Sequence, residues 1–279
     1  VLDEAMEHTR HAEALGFSRV WFAEHHFSNY SLCPSPLIAC THAAAITSTI
    51  RIGTAVLILP LHAPSRVVAE IGMVDALSDG RLDVGVGSGY QPYEFDRFNV
   101  DIADNKTQFH EMLDMIELGL RNPHFTYEGK SYRQPQTAIN IRPAQLPRPP
   151  IWVAGNDPNS HRRCARDGYI PFISGVLGSP RRMRRIRDQV ERCYRDEGVD
   201  PTKMKLGALR FAFVSDDKAE VDQYIDSARY QQRIAVSLRE RRQEVVDDYW
   251  IAEEPFPEEL PWERIEPNIM VGDPTTVAE

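Results

Sequence analysis

The sequence predicts an α/β protein built on a parallel sheet, and three observations lead there. Short apolar runs alternate with helical patterns, the links between them are short, and 279 residues suffice for one large α/β domain. Parallel neighbours need a crossover, and a helix after each strand supplies it. A hydrophobic content of 42% with 26% charged residues is ordinary for a globular chain.

The elements follow in order. Residues 3–15 carry Ala5, Met6, Ala12 and Leu15 at helical spacing, and Gly16 supplies the stop. Residues 19–23 form the first visible strand. A Pro-rich loop leads to an Ala-rich helix over residues 36–49 and a fully buried strand over 51–59. Pro60 and Pro64 break the chain before a helix at 65–77. Ser78-Asp79-Gly80 is a turn, and residues 81–86 alternate into another strand. The later units are looser. A helix at 103–120 precedes a hairpin-like turn at Tyr127-Glu128-Gly129-Lys130. Strands at 151–154 and 169–174, a helix at 180–197 and a strand at 206–214 complete the alternation.

Charge excludes some partners. A net charge of -9 argues against nucleic acid and against an anionic membrane surface. The basic run from Arg181 to Arg187 has Met183, Ile186 and Val190 at helical spacing, which marks it as a solvated helix face. No apolar run approaches the roughly 20 residues that span a bilayer, and none resembles a signal peptide. Cys33, Cys40, Cys164 and Cys193 are scattered without a CxxC, as expected of reduced thiols in a cytoplasmic protein. Residues 252–267 hold six Glu and four Pro and predict an exposed loop, part of a lid-like insertion over about 216–267.

The most informative stretch is Ala23-Glu24-His25-His26, which closes the apolar run Val20-Trp21-Phe22. It carries titratable groups to the rim of a core, and histidine titrates nearest neutrality. Strand alternation puts Glu24 and His26 on one face and His25 on the other, so the three cannot converge on one metal ion. No metal is expected. His25 is the candidate for proton chemistry, against the alternative of a core histidine satisfied by a backbone carbonyl. Glu24 is expected to orient its surroundings, and His26 to be structural. His8 and His11 sit at i, i+3 spacing on a solvated helix face, and His62 lies in a Pro-flanked loop where it can line a pocket.

Two glycine-containing turns are phosphate candidates. Gly85-Val86-Gly87-Ser88-Gly89-Tyr90 follows a strand, where glycines let backbone amides approach a phosphate or merely permit a tight turn. Ala154-Gly155-Asn156-Asp157-Pro158-Asn159-Ser160 closes a strand and opens a helix, where Asn156 and Ser160 can cap the helix or help to bind an anion. Tyr90-Gln91-Pro92-Tyr93-Glu94-Phe95 is open between a functional segment and a surface loop packed by aromatics.

In order and spacing these blocks resemble the bacterial luciferase-like flavin-dependent monooxygenases. The matching stretches are Trp21 to Phe27, Arg51 to Leu57, Leu59 to Pro64, Asp75 to Arg81, Gly85 to Tyr90, Ile151 to Gly155 and Val271 to Pro274. The resemblance implies a TIM-type (β/α)8 barrel over residues 1–279, here expected to lack the first and last strands, with its site at the carboxyl ends of the strands. It implies His25 beside a flavin ring, where oxygen chemistry needs proton delivery and protection from water. It places Glu24, the backbone at Ala55 and Val56 (joined by a non-proline cis peptide), Ser88, Gly89, Tyr90, Ala154, Gly155, Asn156 and Ser160 around the cofactor. Ser88 departs from the family, whose members often carry Arg there. A hydroxyl cannot form the bidentate charged pair with a phosphate, so weak FMN binding is expected.

The implied activity is oxygenation of a small organic substrate by O2 and reduced FMN, the latter supplied by a separate NAD(P)H-dependent flavin reductase. The lack of a dinucleotide fingerprint fits borrowed reducing equivalents. A homo-oligomer through the helix at 36–49 is expected from the family. The alternatives are hydride transfer with the deazaflavin F420, a flavin-binding protein without turnover, and a metal-dependent barrel hydrolase, the last disfavoured by the tetrad's alternation.

Overall fold

Helix α1 (Leu2–Ala14) ends where Gly16 takes φ +81° and Leu15 N–H returns to His11 O, and the chain then enters β1 (Arg19–Phe22). The computed structural model describes residues 1–175 and 178–278 and divides into two compact units, Val1–Trp152 and Val153–Glu279.

In the first unit, α2 (Pro36–Ile46) starts at Ser35, whose side chain accepts Ile38 N–H. It stops short of the predicted Thr49. Thr47 is extended, and the N–H groups of Ser48, Thr49 and Ile50 turn onto one Glu13 carboxylate oxygen at 2.9, 2.6 and 2.9 Å. Hydrogen bonds from the amides of Ile50 and Thr49 hold that carboxyl down at about 2.

The predicted strand 51–59 is broken into β2 (Arg51–Thr54) and β3 (Leu57–Ile58), followed by α3 (Pro64–Leu77) and β4 (Leu82–Gly87). β1 pairs with β2 in parallel from Arg19↔Arg51 to Phe22↔Thr54. This sets two arginines side by side, and Asp83 of β4, buried, receives both Nε groups at 2.9 Å. β2 meets β4 at Gly53↔Asp83, and β3 meets it at Leu57↔Val86. Three residues separate Gly53 from Leu57, while two separate Asp83 from Val86. The surplus residue is a bulge over Thr54-Ala55-Val56, and the Ala55–Val56 peptide in it is cis, as the family resemblance implies.

Helix α4 (Pro92–Phe98) has no counterpart in the sequence reading. It precedes α5 (Asn105–Arg121) and the antiparallel hairpin of β5 (His124–Glu128) and β6 (Arg133–Ala138). The hairpin turn falls where Gly129 predicts it, and the Glu111 carboxylate collects the amides of Lys130, Ser131 and Tyr132. The core of the unit lies under α3 and α5, with Val68, Ile71, Met112, Leu113 and Ile116 fully buried.

The division of the chain falls within β7 (Ile151–Ala154). The second unit continues with α6 (Pro158–Asp167), β8 (Ile170–Ser174), α7 (Pro180–Asp196) and β9 (Gly207–Leu209). β8 and β9 are parallel, with Phe172 opposite Gly207. Along α7 Ile186, Val190 and Cys193 are buried and the arginines of the basic run are exposed, which is the solvated face expected. The predicted strand 206–214 is two strands. Arg210 lies between β9 and β10 (Ala212–Val214), and its guanidinium donates to Gly178 O at 2.7 Å and Asn268 O at 2.5 Å.

The predicted insertion is largely helical. α8 (Lys218–Arg239) is followed by the short strands β11 (Val245–Val246) and β12 (Trp250–Ile251), α9 (Trp262–Ile265), β13 (Met270–Gly272) and α10 (Pro274–Ala278). The 252–267 stretch is therefore only partly an exposed loop. Ile265 is fully buried with Val221, Ile225 and Ile269, and Trp262 packs against that cluster.

Candidate active site

β1 and β2 end together, Phe22 opposite Thr54, so the segments that follow leave adjacent strand ends. After Phe22 comes the tetrad, which lies just beyond the strand rather than on it. After Thr54 comes the bulge. Between buried Thr54 and Leu57, Ala55 and Val56 are half-buried, a small apolar shelf. The shelf is fixed from below. The Thr54 hydroxyl donates to Gly85 O at 2.7 Å and accepts Gly85 N–H at 2.9 Å. A Cβ at Gly85 would lie 1.9 Å from Thr54 O, so no other residue fits there without moving the bulge.

Glu24 is buried, and both of its oxygens are occupied. His26 Nε2 lies 2.8 Å from Oε1, Ile58 N–H donates to Oε2 at 2.9 Å, and His62 Nε2 lies 2.9 and 3.0 Å from the two oxygens. Burial pushes the carboxyl up, but the His26 and His62 hydrogen bonds, the His62 charge and the Ile58 amide outweigh it and hold it below the usual carboxylate range. Glu24 thus ties the tetrad to the Ile58–His62 segment. His62, which the sequence suggested as a pocket lining, is drawn onto it.

His25 turns to a different carboxylate. Its Nδ1 lies 3.0 Å from Glu94 Oε1, and its ring stands edge-on to Tyr30 at 4.4 Å and to Tyr90 at 6.2 Å. Burial raises the Tyr30 phenol, helped by Tyr90, whose hydroxyl lies 3.3 Å away. Glu94 sits in the first turn of α4, is 1% exposed, and accepts His26 N–H through the same Oε1 at 2.8 Å. Sequence reasoning missed it as a site residue. The signal was present: Pro92 at a helix start followed by Tyr93, Phe95 and Phe98 predicts a short buried helix, and a carboxylate inside it needs a partner.

Ser88 and Gly89 are half-buried just after β4, and Tyr90 is exposed. Gly89 has φ +76°, and a Cβ there would stand 2.6 Å from the Phe95 ring and 2.7 Å from Ile58 Cγ2, so the loop is seated tightly on α4 and β3.

In the second unit, Ala154 ends β7 and Gly155-Asn156 leads into α6. The cap of α6 is Asp157, not Asn156 or Ser160. Its carboxylate accepts the amides of Asn159 and Ser160 at 3.0 and 3.1 Å and the Ser160 hydroxyl at 2.7 Å. An anion arriving at this helix start meets a carboxylate already there. Asn156 Nδ2 donates to Ser174 O. His161, also missed, is buried under the turn, with Nε2 3.1 Å from Gly155 O and Nδ1 3.2 Å from Gln189 Nε2. Burial lowers its pKa, outweighing the Gly155 carbonyl and the Asp157 charge.

Among the described residues no group of three or more His, Cys, Asp or Glu side chains is placed to hold a metal ion. No described helix is long and apolar enough to cross a membrane. The four cysteines are free thiols.

The sequence matches the luciferase-like monooxygenase family over residues 1–279. A Sinorhizobium fredii protein, y4vJ, is 42% identical across 98% of this chain and 78% of its own length. The oxygenase component of a flavin-dependent trigonelline monooxygenase from Acinetobacter baylyi is 28% identical across 78% of this chain and 61% of its own length. Among solved structures, the oxygenating constituent of 3,6-diketocamphane monooxygenase from Pseudomonas putida, in complex with FMN, superposes with a TM-score of 0.78. It is 20% identical and covers 99% of this chain and 80% of its own. An F420-dependent secondary alcohol dehydrogenase gives the same TM-score at 17% identity, covering 99% of this chain and 83% of its own. The shared fold is the TIM-type (β/α)8 class.

Proposed function

The chain belongs to the luciferase-like monooxygenase family, and on that premise we propose that it oxygenates a small organic substrate with O2 and reduced FMN. One observation carries the reading: His25, held by a buried carboxylate, leaves one strand end beside the apolar bulge that leaves the next.

The residues suit a flavin. Ala55 and Val56 offer a planar ring an apolar surface, and the Gly85 and Thr54 contacts keep that surface rigid. Reduced FMN, when bound, supplies the electrons for splitting O2, one atom entering the substrate and the other leaving as water. His25 Nε2 is the group that gives and takes the proton this requires, and Tyr30 and Tyr90 beside it keep water from the ring. Glu24 and His26 support the loop that carries His25. The phosphate is assigned to the Ser88–Tyr90 loop, where Ser88 can donate one hydrogen bond and no charge. In the second unit Asp157 already occupies the α6 amides, which speaks against an anion site of its own at Ala154, Gly155, Asn156 and Ser160. Weak retention of FMN suits a protein that receives it reduced from an NAD(P)H-dependent reductase, and the Acinetobacter relative is named as an oxygenase component. The F420-dependent neighbour shares the fold alone and carries no argument for its cofactor. Self-association through α2, where Ile38 is 72% exposed, belongs to the same proposal.

The test supplies the full-length protein with chemically reduced FMN and follows O2 uptake with and without organic substrates. Substrate-dependent uptake with one oxygen atom in the product is expected. F420 reduction without O2 uptake would overturn the reading.

A further inference from the structure

Glu24 and Glu94 hold their histidines by opposite ring nitrogens. Glu24 meets His26 and His62 through Nε2, whereas Glu94 meets His25 through Nδ1. The Nδ1 contact decides where the His25 proton sits. Glu94 Oε1 already accepts the His26 backbone N–H at 2.8 Å, and a backbone N–H can only donate. A carboxylate has no hydrogen to give, so with Glu94 ionised both contacts at Oε1 are ones it accepts. For His25 Nδ1, 3.0 Å from that atom, to bond to it, Nδ1 must bear the hydrogen. A neutral imidazole with Nδ1–H has its lone pair on Nε2.

We propose that Glu94 is the positioning residue of the site: it fixes His25 in the Nδ1–H tautomer, leaving Nε2 as the base. Three further contacts keep the ring from turning over to present Nδ1 instead. His25 N–H donates to Cys33 O at 3.2 Å, Tyr30 stands edge-on at 4.4 Å, and Tyr90 borders the other approach. Glu94 itself is anchored, since α4 begins at Pro92 and Phe95 is fully buried beneath Gly89. Glu94 Oε2 is buried with no hydrogen-bond partner among the described residues, so the contacts to His25 and His26 are the polar ones that justify placing a carboxylate there. The histidine then acts in one direction, taking a proton at Nε2 and returning it there. This rests on the flavin reading for what His25 does, but not for how it is held.

The test reads tautomer and turnover separately. In the full-length protein with 15N-labelled histidine, the His25 ring resonances, assigned by their loss in His25→Asn, are expected to show a protonated Nδ1 and an unprotonated Nε2. An Nε2–H tautomer in the unsubstituted protein would overturn the proposal, and this measurement needs neither flavin nor substrate. Glu94→Gln keeps shape and volume but offers an amide that can donate or accept. It is expected to mix the tautomers and to lower kcat by about 10- to 100-fold with substrate KM unchanged. Glu94→Asp, which still accepts only, should restore the Nδ1–H signature. Glu94→Gln with the parent tautomer and kcat would also overturn the proposal. If the tautomer is as stated but no substrate-dependent O2 uptake occurs, the monooxygenase reading fails and the positioning role stands.

Discussion

His25, just past the end of β1 in the first unit, and His161, on α6 after β7 in the second, are both imidazoles, and they are held in opposite ways. His25 has a carboxylate on one ring nitrogen and no protein hydrogen bond described at the other. His161 has both nitrogens engaged, by the Gly155 carbonyl and the Gln189 amide, and burial lowers its pKa. A carboxylate tolerates an imidazolium beside it, whereas a carbonyl and an amide in a buried turn favour the neutral ring. The lesson is that burial beyond a strand end does not make a histidine reactive. On the proposed reading, what sets His25 apart is the identity of its partner and a second nitrogen with no protein hydrogen bond among the described residues.

The comparison is most sharply broken at His25 itself. His25→Ala is expected to lower kcat by about 10²- to 10⁴-fold while the protein melts cooperatively, as read by O2 uptake beside calorimetry. The matching His161→Ala should leave kcat within a few-fold and lower the melting temperature instead. Next comes the supporting carboxylate. Glu24→Ala strands His26, His62 and the Ile58 amide in a buried site and should cost about 3–5 kcal/mol of unfolding free energy in denaturant titration. A change below 1 kcal/mol would mean Glu24 is not the hub described.

Smaller effects belong to the second unit. Asp157→Ala removes the α6 cap and should destabilise by about 0.5–2 kcal/mol. It also frees the Asn159 and Ser160 amides, so inorganic phosphate should then protect against thermal unfolding more than it does in the parent. The smallest effect is the pH dependence of His161. Its folded pKa lies below the usual value of 6.5, so its contribution is complete above that value and is lost as pH falls through the interval beneath it. Unfolding free energy of the parent should therefore decline there more steeply than that of His161→Ala.

The tetrad, the bulge position and the Gly89 turn were legible in the sequence because each is local. An apolar run ending in titratable residues, a family motif and a glycine-rich turn can be read without knowing the fold. Helix α2 was read three residues too long because its stop comes from Glu13, 35 residues before Ser48. The short buried helix that carries Glu94 has a local signal, but the partner of its carboxylate has none. The meaning of Glu94 lies in a contact with His25 across 69 positions, and no local pattern records that. Strand 206–214 read as continuous because the break at Arg210 is made by carbonyls at Gly178 and Asn268. The turn at 154–160 reads as a helix start that offers Asn156 and Ser160 to a phosphate or as caps, and which residue caps is decided by the geometry of Asp157 alone.

The surplus residue between Gly53 and Leu57 has a consequence for how this shelf can change. Along a strand, side chains keep a two-beat rhythm, and one extra beat reverses the phase of everything beyond it. The shelf is therefore a matter of counting more than of chemistry. Exchanging Ala55 or Val56 for another small apolar residue keeps the count and keeps the shelf. Removing one residue restores an even match of β2 and β3 to β4, and the platform is erased although no polar group in the site has been touched.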